Sequence, residues 1–380
     1  MAATQWYKVP CLSKNLQLKT TLTGGQSFRW KQNDCTEDEF IGVFANIVWI
    51  LKQTPTDLMY QIVGELPYPN VHNRDVSAVA DSPKISKSSP RKHNLAHIRM
   101  KIDEPERYSS DGCLLYPLIY YEQLLSIYFR LNVDLDQCYQ QWIKSHTHFE
   151  KSAGQFYAVR QLNQDPVENL FSFICSQNNN ISRISGLVEK ICSNYGEKIC
   201  EYQGTTYYNF PSVESLAPPH VEADLRQLSF GYRAKYIQKS AEGILAKGDL
   251  EWFCKLQRLA YKDARKELLT LTGIGPKVAD CICLMSLDHL QAVPVDTHVF
   301  KIAQNYLPYL VTGKNLTDKM YIEIGDKFRE IYGPMAGWAQ TVLFCADLKQ
   351  FKENITTGND AVQVTADEFK SRKPAKKLKR

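Results

Sequence analysis

The run Leu271 to Asp280, LTGIGPKVAD, holds the residue types and spacing best suited to chemistry in this 380-residue chain. Apolar residues flank it on both sides, two glycines turn the chain, and Pro276 restarts a helix where its missing N–H costs least. That pattern fits a helix-hairpin-helix better than a plain connection between two helices. Glycines there expose backbone N–H groups at the positive end of the new helix, which makes an anion site suited to a DNA phosphate. It is not a nucleotide-binding P-loop, because the glycine spacing is too short and no Ser or Thr follows the lysine.

Lys277 falls in the first turn of that second helix. The helix dipole disfavours another positive charge there and burial adds to the effect, so a neutral, nucleophilic amine is expected. Further on, VPVDTH (Val293 to His298) places Asp296 at the N-cap of the next helix. Alone, such an Asp is a cap that contributes about 0.5–2 kcal/mol. Beside a nucleophilic lysine it becomes a candidate to accept or relay a proton and to stabilise a cationic sugar.

The elements that must position this pair fall into two groups. In the first sixty or so residues Phe40, Gly42 and Phe44 alternate with period two, and Ile47, Trp49 and Leu51 continue the pattern across a tight turn at Ala45 and Asn46. Gly24 and Gly25 mark a sharp bend or a close approach. From 64 to 112 the chain is rich in Ser, Pro, Asn, Lys and His and reads as a disordered insertion, with Ser82 and Ser89 before prolines as candidate phosphorylation sites. The period then becomes helical: Tyr116 to Arg130, Leu135 to Lys144, a helix opened by Asp165 and Pro166, one capped by Asn180, then Asp263 to Leu269, Pro276 to Met285, Thr297 to Tyr306 and Thr317 to Ile331. The expected fold is α+β, a small sheet domain at 1–155 carrying a larger helical domain at 156–348, with a basic tail at 349–380.

Composition is that of a globular protein, with 44% hydrophobic and 23% charged residues. No run is long and apolar enough to span a bilayer, and the N-terminus lacks the pattern of a signal peptide. Asn354 sits in a glycosylation triplet, which carries no weight without secretion. The formal charge is +5, but Ser371 to Arg380 hold six Lys or Arg and no acid, so the remainder sums to −1. Bulk charge therefore does not mark the body as a nucleic-acid binder. Eleven cysteines without a framework suit a reducing compartment, and they form neither a zinc pattern nor a four-cysteine cluster motif. No metal or cofactor is expected.

Five motifs in order, GQSFRW (Gly25 to Trp30), FSFICSQNNN (Phe171 to Asn180), GYRAKY (Gly231 to Tyr236), GIGPKVADCICLM followed by PVDTH, and GWAQTVLF (Gly337 to Phe344), closely resemble the eukaryotic 8-oxoguanine DNA glycosylases. The likeness spans most of Asp165 to Leu348 and parts of the first 160 residues. It implies a mainly α-helical helix-hairpin-helix glycosylase domain with an N-terminal antiparallel, TBP-like sheet domain. It also implies excision of 8-oxoguanine opposite cytosine from duplex DNA, with Lys277 attacking the sugar C1′, Asp296 as its acidic partner, and β-elimination at the abasic site. Gln340 and Phe344, four residues apart on one helix face, would bond the pairing edge of the everted base and stack on it, and Cys281 would face its other side. Taken alone, Phe344 fits a helical core and Cys281 a small buried residue. Pro294 and Met285 would line the pocket.

The resemblance gives Gly25 a chemical role. Oxidation at C8 turns guanine N7 into an N–H donor, and a backbone carbonyl at a residue without a side chain can accept from it. A simple turn glycine is the plainer reading. Asn178, Arg183 and Arg233 would read the orphan cytosine, and Tyr232 would fill the gap in the stack. Arg183 on a solvated helix face is the alternative. His298 would join the amides of Gly273, Gly275 and Val278 at the phosphates. Two features depart from the resemblance: the insertion is long, and Gly24 stands where serine is expected. The implied partner is duplex DNA, with no membrane and a monomeric protein. The basic tail resembles a nuclear import signal, and a mitochondrial form stays open. Two competitors remain: a helix-hairpin-helix glycosylase for another lesion, and a non-catalytic damage binder, against which the Lys277 and Asp296 pair speaks.

Overall fold

The computed structural model describes residues 5–33, 36–66, 114–154, 156–311, 313, 315–348 and 351. Near the N-terminus lies an antiparallel five-stranded sheet of β1 (Tyr7–Pro10), β2 (Trp30–Asn33), β3 (Thr36–Phe44), β4 (Ile47–Gln53) and β5 (Asp57–Glu65), ordered β1-β5-β4-β3-β2. The period-two pattern is realised directly: Phe40 pairs with Leu51, Gly42 with Trp49 and Phe44 with Ile47. Ala45 and Asn46 take φ of 56° and 60°, the left-handed pair that a two-residue hairpin turn requires. The apolar face is covered by helix Leu118–Tyr128; the Phe44 ring stacks between Trp49 and Tyr128, with centroids at 4.7 and 4.2 Å.

The insertion expected from position 64 needs a correction at its start, because β5 runs through Glu65. Glu65 is held there by the Leu115 amide and the Tyr121 hydroxyl, each donating at 2.8 Å. Residues 67–113, with Ser82 and Ser89, and the basic tail from 352 lie outside the described residues. Several elements were not expected, among them helix Leu18–Thr23, which leads into Gly24 and Gly25, a second hairpin of β6 (Lys198–Tyr202) and β7 (Thr205–Tyr208), and the helices Thr147–Ala153, His220–Gln227, Arg233–Lys247 and Leu250–Arg258.

The helices begin where capping residues predict. Asp165 Oδ1 accepts from the amides of Val167 and Glu168 at 2.9 and 3.0 Å ahead of helix Pro166–Cys175, and Asn180 Oδ1 accepts from Arg183 at 3.0 Å ahead of helix Ile181–Tyr195. The helices expected over Asp263 to Leu269 and Thr317 to Ile331 form as Tyr261–Leu268 and Asp318–Tyr332.

These helices build two cores. One draws on Val167 through Ala292 and includes helix Pro276–Ser286; the other joins Leu135 through Val159 to Val293 through Phe351. The second core thus draws on both sides of position 155. Arg29, at the foot of β2, is driven into the first core. Its buried guanidinium donates to the Tyr208 carbonyl at 2.5 Å and lies 3.7 Å from Glu168 and 3.5 Å from Glu189. The segment carrying Gly25 is therefore anchored to the helical body. Among the described residues no helix is long and apolar enough to cross a membrane, and no group of three His, Cys, Asp or Glu is placed to hold a metal.

Candidate active site

The site lies where the two helical cores meet. From the first core comes helix Pro276–Ser286, with Gly275 as its N-cap and Pro276 at its first position. Gly273 takes φ of +85°, and a Cβ there would lie 2.3 Å from the Tyr236 ring, so no other residue fits this turn. Gly275 faces open space instead. Among the described residues the amides of Gly273, Gly275, Lys277 and Val278 have no backbone acceptor, which leaves a cluster of donors at a positive helix end.

Lys277 is half-buried. Its Nζ donates to Ser176 Oγ at 3.3 Å and sits 4.6 Å above the centre of the Phe173 ring. Ser176 Oγ in turn donates to the Phe173 carbonyl at 2.8 Å, so its lone pairs face the amine. One turn along the helix lies Cys281, 2% exposed. Burial pushes its thiol up to about 12, and the nearby Asp296 carboxylate acts in the same sense against the opposing effect of Lys277. Two conclusions follow. Lys277 and Asp296 both lie close enough to Cys281 to bear on its thiol, in opposite senses. At neutral pH Cys281 is a neutral thiol and so a poor nucleophile.

Asp296 caps helix Thr297–Tyr306: its Oδ1 accepts from the His298 and Val299 amides, each at 2.9 Å. Both caps fall on one oxygen. Oδ2 has no partner among the described residues. The cap therefore leaves one carboxylate oxygen of Asp296 uncommitted. His298, just after the cap, stands edge-on to the Phe344 ring with centroids 5.6 Å apart and holds Asp347 at 3.3 Å from its Nδ1.

The far wall is helix Ala336–Asp347. Gln340 is 5% exposed, yet its side-chain amide makes no hydrogen bond among the described residues. Its polar atoms are not among those sealed from solvent without a partner, so the free amide stands open to a ligand. Phe344 is half-buried one turn on, and it meets Gly25. Gly25 takes φ of +81°, and a Cβ there would lie 3.5 Å from Phe344 Cε1. The preceding Gly24 is closed to substitution for another reason, since its Cβ would fall 2.5 Å from the Thr20 carbonyl and 2.9 Å from Cys345 Sγ. The serine expected at that place would not fit. Pro294 and Met285 are both buried, Met285 accepting a contact from Asn169 Nδ2 at 3.8 Å.

The residues expected at the orphan base gather around one loop. Asn178, exposed and at φ of 47°, lies in the loop between helices Pro166–Cys175 and Ile181–Tyr195. Arg183 is exposed, with its guanidinium unpaired among the described residues. Tyr232, 44% exposed, donates from its hydroxyl to the Gln177 carbonyl at 3.2 Å. Arg233 is placed differently from its neighbours: it is 4% exposed and donates to the carbonyls of Gln177 and Asn178, the latter at 3.2 Å. In this structure its guanidinium braces the loop.

Sequence reasoning missed two members of the site. Ser176 accepts from Lys277, and Gln177 donates from Nε2 to the Gly273 carbonyl at 2.7 Å while its own backbone carbonyl holds Tyr232 and Arg233. Gln177 thereby links the hairpin to the orphan-base loop. Both lie inside the FSFICSQNNN run, which was the available signal.

Comparison with known proteins gives one answer over nearly the whole chain. Residues 8–170 match the family model of the 8-oxoguanine DNA glycosylase N-terminal domain, and residues 171–337 that of the HhH-GPD superfamily base excision DNA repair proteins. The chain is 31% identical to the N-glycosylase/DNA lyase OGG1 of Arabidopsis thaliana over 97% of this chain and 90% of that one. It is 40% identical to the N-glycosylase/DNA lyase of Saccharomyces cerevisiae over 61% and 68% of the two chains. The 8-oxoguanine glycosylase/lyase of Clostridium acetobutylicum, solved in complex with duplex DNA containing cytosine opposite to 8-oxoG, superposes with a TM-score of 0.66 at 26% identity, covering 90% and 93% of the chains.

Proposed function

Because this chain belongs to the 8-oxoguanine DNA glycosylase family of helix-hairpin-helix base-excision proteins, we propose that it excises 8-oxoguanine paired with cytosine from duplex DNA and cleaves the resulting abasic site. What supports this reading is a site with two sides joined through His298: Lys277 and Asp296 both bear on the Cys281 thiol, and the helix that Asp296 caps sets His298 against Phe344, the ring that meets Gly25 one turn from Gln340. One side has a nucleophile and an acid. The other has a planar stacking surface and an amide for a base edge, which together suit an everted purine.

The residues then act as follows. The everted base stacks on Phe344, bonds its pairing edge to Gln340 and presents its N7–H to the Gly25 carbonyl. Normal guanine has an acceptor at N7 and meets that carbonyl with repulsion. The Lys277 amine attacks C1′ with its nitrogen lone pair; as the new C–N bond forms, the glycosidic bond breaks, and the base leaves with the electron pair on N9 and takes a proton. The surplus proton of the amine passes to Asp296, whose charge also stabilises the cationic sugar. The nitrogen lone pair then expels O4′, which takes a proton, to give a Schiff base. Loss of a C2′ proton from that iminium expels the 3′ phosphate, completing β-elimination. The hairpin amides around Gly275 and His298 hold the flanking phosphates. Asn178, Arg183 and Arg233 address the orphan cytosine, with Arg233 turning outward from its brace on the loop, and Tyr232 fills the vacated stack.

Borohydride trapping tests this reading. Wild type should form a covalent adduct with duplex containing 8-oxoguanine opposite cytosine, and Lys277→Gln should form none. Adducts on another lesion but not on 8-oxoguanine would reassign the substrate, and tight binding with no adduct on any lesion would make the protein a damage binder. The tail Ser371 to Arg380 supports nuclear import as the location, to be checked by the distribution of a tail-deleted protein in cells.

A further inference from the structure

Gly25 and Gln340 must address two edges of one purine, yet they come from opposite ends of the chain. A chain of buried side chains joins them. Gln26, the residue after Gly25, is 2% exposed; Gln161 is fully buried; Thr341, the residue after Gln340, is 4% exposed. The Leu162 amide donates to Gln26 Oε1 at 2.9 Å, which fixes the orientation of the Gln26 amide. Its Nε2 then donates to the Arg160 carbonyl at 2.8 Å. With Gln26 Oε1 as an acceptor, Gln161 must present its NH2, and Nε2 does so at 2.8 Å. Gln161 Oε1 is left needing a donor. Thr341 Oγ1 supplies it at 2.8 Å. Gln164 Nε2 closes the arrangement by donating to the Gln26 carbonyl at 2.8 Å.

Each amide orientation is thus set by the one before it, starting from a backbone N–H that cannot turn. The network reaches from the peptide beside Gly25 to the helix turn that carries Gln340 and Phe344. The alternative proton for Thr341, toward the Gly337 carbonyl at 3.0 Å, would leave Gln161 Oε1 buried without a donor.

We propose that Gln26, Gln161 and Thr341 are positioning residues that fix the span between the Gly25 carbonyl and the Gln340 amide, and so set the width at which the slot accepts the oxidised purine. None of the three touches Lys277 in any contact described above. The network therefore acts on base recognition and leaves the sugar chemistry alone. This inference rests on the proposed 8-oxoguanine activity, and its test separates the two.

Thr341→Val keeps the side-chain shape and removes the donor. Excision of 8-oxoguanine opposite cytosine, measured in single turnover, should fall by about tenfold or more, because an ångström-scale misplacement in a site can cost on the order of a hundredfold. Cleavage of a preformed abasic site opposite cytosine needs no base in the slot and should stay within about twofold. Thr341→Ser restores the donor and should restore excision. In a second variant, Gln161→Leu with Thr341→Ala, both ends of the inner bond are removed together, so no polar atom is stranded and folding is preserved. It should show the same split between excision and cleavage.

The proposal is overturned if excision is unchanged in both variants, or if excision and abasic cleavage fall by equal factors together with the thermal midpoint. A wild-type protein inactive on 8-oxoguanine would instead defeat the reading on which the proposal rests.

Discussion

Asp296 caps a helix with one oxygen, and the proposed mechanism gives the other a part in the chemistry, so two substitutions separate the two roles. In Asp296→Asn the carboxamide oxygen can take the place of Oδ1 and keep both capping bonds, to His298 and Val299, each 2.9 Å long. The amide NH2 then stands where Oδ2 stood, and a hydrogen-bond donor replaces a negatively charged acceptor. Capping by Asn and Asp is nearly equal, and the lost charge–dipole attraction costs about 0.3–1 kcal/mol. In Asp296→Ala both caps go, at a cost of about 0.5–2 kcal/mol, and the helix also loses its negative first turn. Stability should therefore run from wild type through Asn to Ala. Activity should not follow that order. A group aimed at developing charge in a water-poor cleft is worth roughly 3–4 kcal/mol in the transition state, so both variants should lose on the order of a hundredfold or more in adduct formation. Urea denaturation gives the first quantity, and single-turnover borohydride trapping the second. If Asp296→Asn traps like wild type, the carboxylate is a cap and nothing more, and the role of Asp296 in the chemistry is wrong.

Other consequences are measurable in the same way. Gly25→Val places a branched side chain against Phe344 at a φ of +81°, and should reduce 8-oxoguanine excision far more than nonspecific DNA binding; equal excision removes Gly25 from base recognition. Arg183→Ala, at an exposed residue, should leave the thermal midpoint unchanged and relax the preference for cytosine opposite the lesion; an unaltered preference across the four opposite bases refutes its role. Burial lifts the Glu168 carboxyl from the usual carboxylate range to about 7 despite the opposing Arg29 guanidinium. Because the folded protein holds that proton more tightly than the unfolded chain, the contribution is full below about pH 4.5 and is lost as pH rises to about 7. The stability of wild type relative to Glu168→Gln should decline across that window and then level off; parallel curves would contradict the assignment.

The parts of this protein legible in its sequence are those whose physics is local. The hairpin Leu271 to Asp280 declares itself because two glycines, a proline and a lysine act within ten residues, and β3 and β4 because alternation and the Ala45–Asn46 turn are short-range. Caps at Asp165, Asn180 and Asp296 were visible for the same reason. What stayed hidden depends on distance along the chain. Helix Leu18–Thr23 is short and carries three threonines, and it forms because Leu18 and Leu22 are buried by residues far away. Gln161 shows no helical or strand pattern; its meaning comes from partners 135 and 180 residues distant. Arg233 sits in a recognisable motif, but its inward brace on the Gln177 loop follows from tertiary packing. Near-neutral bulk charge concealed the nucleic-acid surface, since the relevant donors are backbone amides that carry no formal charge.

The depth at which Cys281 is buried bears on the conditions under which the protein must work. Oxidants attack the thiolate, and a thiol held near 12 supplies roughly one anion in a hundred thousand molecules at neutral pH. Peroxide-type reagents, the same agents that damage guanine, thus find almost nothing to react with beside the nucleophile. Burial thus keeps the Cys281 thiol out of that chemistry.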